Sequence, residues 1–132
     1  MNLADLNVGT TLNIKLNFSV EKISEYLVAT GDGSDMWIRE SIVPPPLVGA
    51  GILAELMKQV KLPANLMHTG QEQTAYSTVP ANSDLLASVT LTQYSQRRGA
   101  IIATFEANLV DVTQVLLFRA KFSGLVFYAY RM

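Results

Sequence analysis

The sequence predicts a single α+β domain across residues 1–132, in which a five-stranded antiparallel sheet wraps around one central buried helix. Three observations carry this expectation. A stretch at 47–61 is apolar round most of a helical circumference, one alternating segment precedes it, and a series of alternating segments with short connections follows it. A helix that is apolar on most sides needs a sheet curved around it.

From 10 to 18, Leu12, Ile14, Leu16 and Phe18 alternate with Thr11, Asn13, Lys15 and Asn17, the period of a half-buried strand. Ser19 can then cap a short helix whose Val20, Ile23 and Leu27 share a face, with Gly31, Asp32 and Gly33 ending it. Residues 35–41 show no clear period and read as a loop. Pro44, Pro45 and Pro46 cannot lie inside a helix but can lead into one, which places the long helix just after them. In it Leu47, Val48, Ile52, Leu53, Leu56, Met57 and Val60 leave only Glu55, Lys58 and Gln59 as a narrow polar edge.

Residues 67–76 read as an extended segment polar on both faces, carrying His68, Gln71, Glu72 and Gln73. Three clearer strands follow, built on Leu85, Ala87, Val89 and Leu91, then on Ile101, Ala103, Phe105, Ala107 and Leu109, then on Leu116, Phe118, Ala120 and Phe122. Connections near 97–99 and 112–114 are short enough to demand an antiparallel meander. Phe127, Tyr128 and Tyr130 read as core or interface filling.

The length suits one domain. Apolar residues make up 49% of the chain and charged ones 16%, more core material and less solvating charge than an average soluble domain. Part of the surface is therefore expected to lie under a partner, and the chain is not expected to be a monomer. The net charge of −1 and scattered basic residues, with only Arg97 and Arg98 adjacent, argue against nucleic acid as a partner. Glu55, Lys58, Arg119 and Lys121 interrupt the most apolar windows, so no membrane span is expected. The first nine residues lack the basic start and apolar run of a secretory signal, and there is no cysteine, which together favour the cytoplasm. One histidine without a carboxylate cluster gives no metal site.

Three stretches carry a family likeness: ATGDGSDMW at 29–37, PPPLVGAGILAEL at 44–56 and LMHTGQEQTAYSTVPANSDLL at 66–86. In this order and spacing they resemble the landmarks of the MaoC-like hydratases and dehydratases, over about 24–126 of the chain. The resemblance implies the hotdog fold, in dimers or in paired or fused copies, binding acyl chains as thioesters of coenzyme A or acyl carrier protein, with no cofactor beyond that carrier. It also implies an Asp in a GD pair and a His five residues later that hold the water added to, or lost from, the double bond. Asp32 matches the Asp; Trp37 stands where the His belongs.

Indole has no basic nitrogen at neutral pH, so Trp37 cannot take up and deliver a proton as imidazole does. The chain therefore resembles the non-catalytic halves of the family, which wall an acyl pocket while a partner supplies Asp and His. QEQTAY and SQRRGAIIATFEANL are similar to those halves as well. The implied substrate-binding positions are Trp37, Val48, Gly49, Ala50 and Gly51, the last four at the helix start, where family members use a backbone amide to polarise the thioester carbonyl.

Each candidate has a second role open to it. Asp32 between two glycines is a natural turn former. Gly49 and Gly51 suit close packing of helix on sheet. His68 is the only internal replacement for the missing acid/base, yet a single histidine is more often a hydrogen-bonded structural residue. Arg97 and Arg98 suit a solvated hairpin tip. The functional expectation is an acyl-thioester-binding subunit acting in reversible hydration with a catalytic MaoC-like chain; the alternatives are a homodimeric acyl-binding module without chemistry, or a thioesterase using Asp32 or Glu55.

Overall fold

In the computed structural model, which describes residues 1–127, a 3-10 turn at Leu3–Asp5 leads into strand β1 (Thr11–Leu16). Helix α1 (Val20–Thr30) starts where the Ser19 hydroxyl accepts the Lys22 amide at 3.2 Å. It ends on Gly31 in the left-handed region, φ 71°, with the Asp32 amide donating back to the Leu27 carbonyl at 2.9 Å. The segment read as a loop contains one helical turn, α2 (Met36–Arg39), tied by the Arg39–Asp35 ion pair and by the partial burial of Trp37 and Ile38 against the core. Four residues are too few for a period to show.

Helix α3 (Pro45–Gln59) begins two residues earlier than the sequence suggests, because Pro45 and Pro46 occupy its first two positions, where a missing N–H costs nothing. Its burial is also narrower than expected. Val48, Gly49, Ile52 and Leu56 form one buried stripe, whereas Ala50 and Ala54 are exposed and Met57 is 55% exposed. The five strands curve round only part of the helix, so the apolar circumference is half covered.

Strands β2 (Met67–Ala75), β3 (Leu85–Arg97), β4 (Ala100–Val110) and β5 (Leu116–Phe127) complete one antiparallel sheet of order β1-β3-β4-β5-β2. The central meander β3–β4–β5 turns inward Leu85, Ala87, Val89 and Leu91, then Ala103, Phe105, Ala107 and Leu109, then Phe118, Ala120 and Phe122. Each large side chain fully buried there stabilises the fold by roughly 1.5–3 kcal/mol. The β4–β5 turn is organised by Asp111, whose Oδ1 accepts the Thr113 hydroxyl at 2.7 Å and the amides of Thr113 and Val115 at 2.9 and 3.1 Å. The Thr113 hydroxyl above all, then the Val115 amide, holds this carboxyl below the usual range.

β2 is an edge strand, and all nine of its residues are exposed. This is the polar segment of the sequence, now with one edge bonded to β5 and the other open. Its register slips between His68, opposite Gly124, and Gly70, opposite Ser123, leaving Thr69 as an extra bulged residue. Phe127 ends β5 half-exposed, while Tyr128 and Tyr130 lie outside the described residues.

Candidate functional site

The Schellman end of α1 sets Asp32 at the start of the loop into α2, and the loop brings the next candidate back to it. Asp32 Oδ1 accepts the Ser34 amide at 2.8 Å, closing an Asx turn, and Oδ2 accepts the indole Nε1–H of Trp37 at 3.4 Å. Of the two roles open to Asp32, these bonds show the turn former, and its second oxygen meets Trp37, the residue at the position where the resemblance places a His. Asp32 is exposed and Trp37 partly buried. Trp37 also borders a cavity of about 390 Å³ at the amino end of α3, shared with Val43, Pro45, Ala75, Tyr76 and Phe118.

The start of α3 differs from the expected carbonyl-polarising site. Pro45 and Pro46 have no N–H, and the amides of Leu47 and Val48 both donate to the Pro44 carbonyl, at 2.9 and 3.2 Å. The first turn thus presents no unpaired amide to a thioester oxygen. Of the four residues assigned to this end, Val48 is fully buried in the core. Gly51 packs on Phe18: a Cβ there would lie 2.5 Å from the ring. Ala50 faces outward, and Gly49 lies under a polar surface made by the side chains of Gln71 and Gln73.

That surface belongs to β2. Antiparallel partners share a face, so His68 opposite Gly124, Gln71 opposite Phe122 and Gln73 opposite Ala120 all turn toward α3. The bulge at Thr69 is what puts His68 and Gln71, three positions apart, on the same side. Gln71 donates to Gln73 at 3.2 Å, and a Cβ on Gly49 would lie 2.5 Å from Gln73 Oε1 and 2.9 Å from Gln71 Nε2. Sequence reading saw two polar faces on this strand and missed the glutamine pair over Gly49; the signal was Gln-x-Gln spaced for one face.

Leu53, Leu56 and Met57, on the side of α3 that carries Gly49, lie nearer the helix's carboxyl end. They line an apolar cavity of about 290 Å³ whose wall also includes Phe105, Phe122 and Gly124, with His68 and Ser123 as its polar members. The structure does not bring Asp32 and His68 together. His68 lies at one end of β2, and the Trp37 cavity at the other, beside Ala75, which is roughly 20 Å away at strand rise. Glu55 forms an ion pair with Lys58 at 2.9 Å and lines neither cavity. Among the described residues no group of acidic, histidine or cysteine side chains could hold a metal, and no helix is long and apolar enough to cross a membrane.

No protein-family model and no curated protein matches the sequence. Solved structures do share the fold. The (R)-hydratase PhaJ1 from Pseudomonas aeruginosa superposes with a TM-score of 0.75 at 14% identity, covering 98% of this chain and 92% of that one. A MaoC-like dehydratase from Rhodospirillum rubrum gives 0.71 at 15%, covering 98% of each chain. The HadBC 3R-hydroxyacyl-ACP dehydratase complex from Mycobacterium tuberculosis gives 0.70 at 13%, covering 90% of this chain and 96% of that one. The chain thus has the hotdog fold of MaoC-like dehydratases and (R)-hydratases, as its sequence motifs suggested.

Proposed function

We propose that this chain binds the acyl thioester in the reversible hydration of enoyl thioesters to 3-hydroxyacyl thioesters, and that a MaoC-like partner chain supplies the acid/base pair. The observation that carries this reading is the Asp32–Trp37 hydrogen bond. Hydration needs one group to take a proton from water and another to protonate the substrate carbon. The indole N–H can only donate, and it points to Asp32, so the site has the carboxylate and the five-residue spacing but no second group to cycle a proton. The blocked first turn of α3 agrees, since it lacks a free donor for the oxygen charge that builds up during addition.

Binding is better provided for than chemistry. The Gln71–Gln73 pair over Gly49 offers amide donors and acceptors to a thioester, and the cavity lined by Leu53, Leu56 and Met57 is apolar. Coenzyme A or acyl carrier protein enters as part of the substrate, and no other cofactor is required. The open edge of β2 and the exposed flank of α3 are the surfaces a second hotdog chain would cover. HadBC, a complex of this fold, gives the pairing a precedent. The cysteine-free composition suits the cytoplasm.

Hydration of crotonyl-coenzyme A by the purified chain tests the assignment. It should stay at the buffer rate, and turnover at ordinary enzyme rates that disappears in Asp32→Asn would overturn it. Affinity purification from the native cells should recover a second hotdog chain bearing both Asp and His. Recovery of this chain alone, as a homodimer, would favour the acyl-binding module without chemistry.

A further inference from the structure

The cavity beside His68 is closed by a different part of the chain. Leu3, in the 3-10 turn Leu3–Asp5, is 3% exposed and lines this cavity together with Leu62. Its position is fixed by backbone bonds: the Leu3 amide donates to the Lys61 carbonyl at 3.2 Å, and the Lys61 amide donates to the Met1 carbonyl at 2.6 Å. Residue 2 thereby bridges residue 61 in parallel, two positions beyond the end of α3. An apolar side chain is thus pinned into the wall of this cavity.

We propose that Leu3 is the stop that sets the length of the acyl chain this protein accepts. The inference rests on the acyl-binding reading above. An acyl tail that enters this cavity lies against Leu53, Leu56 and Met57 and meets Leu3 in its wall. At about 30 Å³ for each water-sized group in a liquid, 290 Å³ has room for roughly ten such groups, the scale of a medium-length acyl tail. Apart from His68 and Ser123 the wall is apolar, which suits a hydrocarbon tail. Gly124 belongs to the same design: a Cβ there would lie 3.0 Å from Leu66, so glycine lets Leu66 fold over the cavity wall without narrowing it.

The test is calorimetric titration of the full chain, with any partner that copurifies, using butyryl-, octanoyl-, decanoyl-, dodecanoyl- and hexadecanoyl-coenzyme A. Affinity should climb as far as octanoyl or decanoyl, by up to about fourfold per added methylene, and then fall. Leu3→Ala should move the optimum to dodecanoyl or longer. Met57→Trp, placed on the open rim where it threatens folding least, should move it toward butyryl. If acyl thioesters bind and neither variant changes their ranking, the stop is elsewhere and this inference fails while the proposed function stands. If no acyl thioester of any length binds, the proposed function and the inference fail together.

Discussion

Trp37 donates its indole N–H to the Asp32 carboxylate at 3.4 Å, across the turn that joins α1 to α2. The bond is long, and Asp32 is exposed, so its own contribution to stability is small. Trp37→Phe should cost no more than about 1 kcal/mol in urea unfolding. Trp37→Ala should cost clearly more, because Trp37 also packs on the core. Equal losses in the two variants would mean that the bond, and not the ring, anchors α2.

The two glycines of α3 should respond in opposite ways. A Cβ at Gly51 runs into the ring of Phe18, itself 3% exposed and unable to step aside, so Gly51→Ala should destabilise by about 1–3 kcal/mol. At Gly49 the obstacles are the ends of two flexible glutamines, and the gain in helix propensity, up to about 1 kcal/mol, should leave Gly49→Ala neutral or stabilising. Its effect should appear instead as weaker acyl-thioester binding. Thermal melts and titrations of both variants check the contrast.

The free edge of β2 makes hydrogen exchange informative. Along an edge strand alternate amides point away from the sheet, so in a lone chain about half of the β2 amides should exchange fast. If a second chain extends the sheet there, those amides should be protected at high protein concentration and lose protection on dilution. Fast exchange at every concentration would move the partner surface elsewhere.

Asp111 links the β4–β5 turn to pH. Its folded pKa is lowered, chiefly by the Thr113 hydroxyl, so its contribution to stability is present above the unfolded value of about 3.9 and is lost as pH falls through the lower folded value. The wild-type chain should therefore melt higher than Asp111→Asn at pH 7, and the gap should close in strong acid. A gap unchanged down to strong acid would show that charge at Asp111 contributes nothing.

Strand periodicity made the meander legible, because Leu85 to Leu91 and Phe118 to Phe122 put one residue in two into the core. The GD pair and the tryptophan five residues on were legible as a motif, and the fold brings them within hydrogen-bonding distance. Other features depend on long-range placement. The single turn of α2 is fixed by the Arg39–Asp35 pair and by packing, the uncovered side of α3 by how far the sheet curves, and the floor under the cavity by a bond between residues 3 and 61. Gly49 and Gly51 looked equivalent in sequence. Their neighbours, glutamine tips for one and an aromatic ring for the other, separate packing from recognition.

The extra residue at Thr69 gives strand length authority over site composition. Deleting it would leave His68 and Gln71 two positions apart, on one face by simple alternation, so His68 would stay opposite Gly124 and keep its imidazole in the cavity. A further residue inserted between His68 and Gln71 and taken into the regular ladder would instead turn His68 outward, changing the cavity wall without replacing any side chain. Comparing close homologues at this position requires counting residues before matching letters.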